Sequence, residues 1–148
     1  MVERFERFSA AIFEISRCWH RIAGEEMAKF GLKGPHAVYL VTMQRYPDGI
    51  TAAQLCELCG RDKADISRAV SLMVQKQLIT KEGSQYRARL LLTPEGDKAA
   101  AQVCHAAATA VELASKGYSH RQRDIFYQVL DTITANLQTL SQQGLPKE

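Results

Sequence analysis

The residues best suited to chemistry in this sequence are cations and hydroxyls, and they recur at helical spacing. At 100° per residue, Lys63, Ala64, Ser67, Arg68, Ser71 and Gln75 share one side of a helix. Ile66, Ala69, Val70, Met73 and Gln77 form the opposite, inward stripe. A face this small, polar and cationic fits the major groove of duplex DNA. There Arg or Lys can bond guanine edges or phosphates, a Ser hydroxyl can donate to phosphate, and Ala leaves room for a thymine methyl. Asp65 lies near the boundary of this face. It could accept from cytosine, but its plainer role is to favour the helix N-terminus. From Arg61 to Arg89 there are seven basic residues (Arg61, Lys63, Arg68, Lys76, Lys81, Arg87, Arg89) against three acids (Asp62, Asp65, Glu82). That is a net +4, compared with +3 for all 148 residues. The remainder is therefore near neutral, and an anionic partner would land on this segment.

The other reactive side chains point to less. Cys56-Glu57-Leu58-Cys59 has the spacing of a redox pair or half a metal site. No second pair exists, and His20, His36, His105 and His120 are scattered. Both cysteines fall on the inward face of their helix, so small buried hydrophobes is the expected reading. Cys104-His105, on an Ala-rich helix, reads as packing or surface. Cys18 beside Trp19 could sense oxidation, though a plain thiol is the simpler expectation. There is no G-x-S-x-G, no Gly-rich phosphate loop, no H-E-x-x-H and no clear carboxylate pair. An enzyme is not expected, nor a cofactor or a metal site.

The bulk numbers agree with one compact domain or one domain with arms: 24% of residues are charged and 46% hydrophobic. No apolar run approaches the roughly 20 residues that span a bilayer. The first ten residues, MVERFERFSA, lack the apolar centre and cleavage site of a signal peptide. A cytoplasmic protein with reduced cysteines is expected.

The elements that would position the cationic face follow from periodicity and punctuation. Phe5, Phe8, Ile12, Ile15, Trp19 and Ile22 step by three and four, a narrow seam for helix-on-helix packing along one long helix. Pro35 opens a second helix bearing Val38, Tyr39, Leu40, Val41, Met43 and Tyr46, which stops before Pro47-Asp48-Gly49. Thr51 and Gln54 form a capping box for a third, with Ile50 and Leu55 placed as a hydrophobic staple. Its inward face is Ala52, Leu55, Cys56 and Cys59, and Gly60 ends it. Asp62 caps the fourth helix, which carries the cationic face. Two strands, Leu78 to Glu82 and Gln85 to Leu92, flank Gly83-Ser84, the signature of a two-residue type II′ hairpin. On the second strand Arg87 and Arg89 would share one face, and Tyr86, Ala88 and Leu90 the other. Thr93-Pro94-Glu95-Gly96 opens a fifth helix running to about Lys116, with Gly117 as its stop. Ser119 and Gln122 cap a sixth, with a seam of Phe126, Val129, Ile133, Leu137 and Leu140. The expectation is a mainly α protein with a small β-wing: a winged helix-turn-helix flanked by long helices.

The order long helix, helix, T-x-x-Q-L-x-x-L-x-G, R-D-K-A-D-I-S-R-A-V, wing, L-T-P-E-G and two long helices resembles the MarR (multiple antibiotic resistance regulator) family over nearly the whole chain. The resemblance implies a dimerisation helix at residues 1–34, a DNA-binding lobe at 35–93 and dimerisation helices at 94–148. It also implies a triangular homodimer whose recognition helices enter major grooves of a pseudo-palindromic operator. The protein would then be a transcriptional regulator, expected to be a repressor released by a small aromatic or anionic effector. By position, Lys63, Ala64, Asp65, Ser67 and Arg68 would face the groove, with Arg61 and Ser71 beside them. Arg87 looks like the family's wing arginine, with Arg89 near it. The wing departs from the family's D-x-R-D-R-R, being shorter and carrying Tyr86 where the first arginine of the pair is expected. Arg87 and Arg89 would then touch only phosphate. Arg61 stands where the family has an apolar residue, and would point outward. Trp19, His20, His36, Tyr39 and Met43 would line the effector pocket, and Cys18 lies where the family's oxidation sensors keep theirs. Two alternatives stay open: a thiol-based redox-sensing regulator, and a winged-helix protein-interaction module without DNA binding.

Overall fold

The computed structural model describes residues 2–83 and 87–145. Among these, the order is α1 (Val2–Ala28), α2 (His36–Gln44), β1 (Ile50–Thr51), α3 (Ala52–Cys59), α4 (Lys63–Gln75), β2 (Ile79–Glu82), β3 (Arg89–Leu92), α5 (Pro94–Ala114) and α6 (His120–Gln143). The expected fold class, mainly α with a small β-wing, is what forms. Among the described residues, no helix is long and apolar enough to cross a membrane. The chain divides into two units, Met1–Ala108 and Thr109–Glu148.

In the first unit one apolar cluster joins the short elements. Tyr39, Leu40 and Met43 of α2, Leu55 of α3 and the stripe Ile66, Ala69, Val70, Met73 of α4 meet Ile50, Ile79 and Leu90 of the sheet. Met27 of α1 and Ala99, Ala100 and Val103 of α5 join it, with Leu32, Ala37 and Leu78. Fully burying a side chain of this size contributes about 1.5–3 kcal/mol, so the inward stripe of α4 is what seats its cationic opposite face. The seam of α1 is different: Phe8, Ile12, Ile15, Trp19 and Ile22 are exposed. The side chain of Phe5 lies outside the described part.

The helix ends are set by local chemistry. The Thr51 hydroxyl accepts from the Gln54 N–H, and the Gln54 side chain accepts from the Thr51 N–H, completing the capping box. At the other end of α3, Gly60 has φ +59°, and Arg61 N–H donates to the Cys56 carbonyl at 3.1 Å. This is a Schellman ending, which needs a residue tolerant of the left-handed region. α4 ends the same way: Leu78 N–H donates to Met73 and Gln77 N–H to Val74, both at 2.9 Å. Here the left-handed position is held by Gln77, with φ +58°.

Gln77 is thus a correction. It does not continue the inward stripe of α4, because the helix stops at Gln75 and Gln77 is exposed in the reversal that follows. Ala52 is a second correction: it is exposed, and Ile50 is the buried side chain at that end of α3. Ile50 is more than a staple, since β1 pairs with β3 and makes the sheet three-stranded, in the order β1-β3-β2.

The hairpin is the third correction. Pairing of β2 with β3 starts at Glu82↔Arg89 and runs to Ile79↔Leu92, so the connection spans residues 83–88 rather than two. A two-residue loop at Gly83-Ser84 would set Ile79 opposite Ala88. The register formed instead sets Leu90 between Ile50 of β1 and Lys81 of β2, and register follows the larger apolar burial. Arg87 lies in the turn, not on the strand, and so does not alternate with Arg89. Ser84 and Tyr86 lie outside the described residues.

Thr93 and Gly96 explain the start of α5. The Thr93 hydroxyl accepts from Gly96 N–H at 3.0 Å and donates to the Gln77 carbonyl at 2.7 Å. A Cβ on Gly96 would sit 1.9 Å from the Leu78 carbonyl oxygen. The glycine is there for close approach to the turn after α4.

In the second unit, the end of α5 leads through Gly117 into α6. Ser119 and Gln122 form a full capping box. None of the α6 residues is buried, and Phe126, Val129, Leu137 and Leu140 of its seam are exposed.

Candidate nucleic-acid interface

The centre of the site is α4, held by α3 and the Gly60–Asp62 turn. Asp62 takes extended backbone and its carboxylate accepts from Asp65 N–H at 2.8 Å, capping the helix. With 13 residues, α4 is about 20 Å long at 1.5 Å per residue, enough to lie along a groove. Lys63, Ala64, Ser67, Arg68, Ser71 and Gln75 are exposed, while Ile66, Ala69, Val70 and Met73 opposite them are buried. The two-faced helix read from spacing is the one that forms.

Asp65 sits between the faces and is half-buried. Its carboxylate Oδ2 accepts from the Tyr39 hydroxyl at 2.6 Å, a link between α4 and α2. That charge-assisted bond, ahead of the nearby Arg61 and Arg68 charges, holds the Asp65 carboxyl below the usual carboxylate range. The Tyr39 phenol is pushed up to about 12, by burial first and by the Asp65 bond second. The ring of Tyr39 is 1% exposed. His36 stacks on it, with ring centroids 5.8 Å apart, and burial lowers the pKa of its imidazole. The Arg68 guanidinium comes within 3.9 Å of Asp65 Oδ1 and its side chain is 72% exposed.

The other cations of this segment lie off the exposed face of α4. Arg61, directly after the turn glycine, is exposed, as are Lys81 and Arg87 on the wing. Arg89 donates to the Asp48 carbonyl at 2.9 Å, which ties its guanidinium to the turn before β1. Lys76 lies against Gly31 of the connection between α1 and α2.

The five residues expected to line an effector pocket divide in two. His36, Tyr39 and Met43 are buried in the core, whereas Trp19 and His20 are exposed on α1. His20 Nδ1 lies 2.6 Å from the Ser16 carbonyl oxygen. Cys56 and Cys59 are half-buried against the core, and the Cys59 thiol donates to the Thr42 hydroxyl at 3.6 Å. The Cys104 thiol donates to Gln44 Oε1 at 3.7 Å, and exposed Cys18 to Glu14 Oε1 at 3.5 Å. Among the described residues, no three of His, Cys, Asp and Glu gather as a metal site would need.

Sequence reasoning missed the Tyr39–Asp65 bond. The partners lie 26 residues apart, and neither the periodicity of α2 nor that of α4 points one at the other. A half-signal existed in Asp65, an acid at the edge of a cationic face without a basic target.

Residues 30–90 match the family model described as the MarR family. Among curated proteins, none matches the sequence. Solved structures share the fold at low identity. A MarR transcriptional regulator from Methanosarcina mazei Go1 is 21% identical, covers 91% of this chain and 92% of its own, and superposes with TM-score 0.79. A protein from Listeria monocytogenes, described as a MarR-family transcriptional regulator and crystallised with 26-mer DNA, is 19% identical over 94% of this chain and 96% of its own, with TM-score 0.76. A third MarR-family transcription regulator reaches TM-score 0.84 at 18% identity, over 97% and 96%. With a capped helix-turn-helix and a three-stranded wing sheet in place, the chain has the winged-helix fold of these structures, and its residues 30–90 are similar to the MarR family.

Proposed function

We propose that this chain is a sequence-specific regulator of transcription that binds double-stranded DNA through α4, as a homodimer. The observation that carries this is the division of α4 into a fully buried apolar stripe and a wholly exposed face of Lys63, Ala64, Ser67, Arg68 and Ser71. Nothing in the core requires cations there, while a major groove offers acceptors for each. The Listeria relative crystallised with DNA supports the same reading. Arg61, Lys81 and Arg87 would add phosphate contacts, and Arg89 would act mainly by fixing the wing base.

The exposed seams of α1 and α6 support the dimer, because contiguous apolar residues at helical spacing normally find a partner. On this reading residues 1–34 and 94–148 serve dimerisation and 35–93 serve DNA. Two α4 helices held about one DNA turn apart would read the halves of a pseudo-palindrome. Repression then follows from occupying the operator in the cytoplasm. An aromatic or anionic effector entering near His36, Tyr39 and Met43 would release it by changing the separation of the two helices.

The test is binding to a random duplex library at several salt concentrations. Phosphate contacts make log affinity fall with log salt by about 0.9 per phosphate neutralised. Selection of one palindromic sequence with a steep salt slope is the expected result. A flat slope with no selected sequence would leave the protein-interaction module as the reading that survives.

A further inference from the structure

Asp65 and Arg68 are spaced i,i+3 on α4, a spacing at which acid and base normally close. Elsewhere on this chain they do: Glu26 meets Lys29 at 2.7 Å and Glu95 meets Lys98 at 2.8 Å. Glu14 bonds Arg17 Nε at 2.9 Å. The Asp65–Arg68 ion pair is longer, at 3.9 Å, beyond hydrogen-bonding distance. Aspartate is one methylene shorter than glutamate, but at this spacing it still reaches arginine when its side chain is free to turn. Asp65 is not free. Its Oδ2 is held at 2.6 Å by the buried Tyr39 hydroxyl, on the α2 side of the helix. The carboxylate is thereby turned toward the core, and Arg68 extends into solvent.

We propose that the Tyr39 hydroxyl is a positioning group for DNA recognition: by holding the Asp65 carboxylate against α2 it keeps the Asp65–Arg68 ion pair from closing to hydrogen-bonding distance and leaves the Arg68 guanidinium available to DNA. The inference rests on the DNA-binding reading above. The net charge of the face is the same with or without the Tyr39 bond; only the direction of one carboxylate changes. Tyr39→Phe keeps the buried ring and removes the hydroxyl alone. The released carboxylate swings to Arg68, and that pair must open before DNA binds. Closing of that exposed pair gives about a three- to sixfold loss of affinity, through the reduced fraction of binding-competent protein.

The experiment is a double-mutant cycle on the full chain, using the duplex that wild type selects from a random library, with circular dichroism to follow folding. Tyr39→Phe alone should bind about three- to sixfold more weakly. In an Arg68→Ala background the same change should have no further effect, because the group it frees is gone. Asp65→Asn keeps an acceptor for Tyr39 but removes the ion pair, so in an Asp65→Asn background Tyr39→Phe should likewise have no further effect. Equal binding by wild type and Tyr39→Phe overturns the inference. So does a loss that persists in the Arg68→Ala background, which would make Tyr39 a support for the whole of α4. If Tyr39→Phe does not fold, Asp65→Asn with and without Arg68 decides: the same change in affinity in both backgrounds supports the inference, and a change that vanishes with Arg68→Ala overturns it. Failure of wild type to select any duplex is a different result, and counts against the DNA reading itself.

Discussion

At the scale of single residues, the site turns on which side chains are free. The Arg68 side chain is 72% exposed, so Arg68→Ala should cost about 1–3 kcal/mol of binding if it reads a base. The loss should fall on sequences that carry the matching base; competition with mismatched duplexes measures this, and an equal loss on all sequences would reduce Arg68 to a phosphate contact. Tyr39, Asp65 and His36 also tie stability to pH. The Asp65 carboxyl is lowered when folded, chiefly by the Tyr39 bond, so its contribution is present above the ordinary carboxylate range and lost as pH falls through it. His36 is lowered by burial, so the folded state loses stability as pH drops below the ordinary imidazole value of 6.5. Tyr39 is raised from 10.0 to about 12, so its contribution holds below pH 10 and fades between about 10 and 12. Denaturant midpoints across pH should show both limbs, and Tyr39→Phe should flatten the alkaline one.

At the scale of elements, α4 is positioned by its ends as much as by its stripe. Asp62 and the Gly60 turn orient its start. Its finish uses a left-handed Gln77 where α3, with the same hydrogen-bond pattern, uses Gly60. A side chain in that region costs about 1 kcal/mol or more relative to glycine. Gln77→Gly should therefore raise stability by roughly 0.5–1 kcal/mol, seen as a higher Tm with DNA affinity unchanged. Gly96→Ala should do the reverse. Its Cβ would meet the Leu78 carbonyl at 1.9 Å, forcing α5 away from the turn after α4. A loss of at least ~2 kcal/mol is expected, measured by chemical denaturation; a neutral result would mean that the helix start can slide without cost.

At the scale of the whole molecule, α1 and α6 carry long exposed apolar seams. Ile15 is 66% exposed and Phe126 56% exposed, and a carboxylate at either place would be compatible with the chain alone but not with a dry interface. Sedimentation of wild type should give twice the chain mass. Ile15→Glu and Phe126→Glu should each shift it toward the single chain while leaving the helical circular dichroism of the first unit in place. Operator affinity should fall by far more than the loss of one contact explains, since each half-site would then be bound separately. Wild type sedimenting as a single chain at concentrations where it binds DNA tightly would overturn the dimeric reading.

What was legible in the sequence is what short-range physics decides. Helix periodicity placed Ile66, Ala69, Val70 and Met73 inward and Lys63, Ser67 and Arg68 outward. The capping boxes at Thr51 and Ser119 marked helix starts because their hydrogen bonds close within three residues. The punctuation at Gly60 and at Thr93-Pro94 was equally local. Tertiary structure alone decided whatever depends on partners distant in sequence. Leu90 could be claimed by β1 as well as β2, so the wing took a longer loop than Gly83-Ser84 advertised. Arg89 found the Asp48 carbonyl 41 residues away. Asp65, indistinguishable in sequence from a first-turn acid, was captured by Tyr39 because the common core seats α2 beside the start of α4. Periodicity says which way a side chain points. Only packing says what it meets there, and for Asp65 that meeting leaves Arg68 facing solvent.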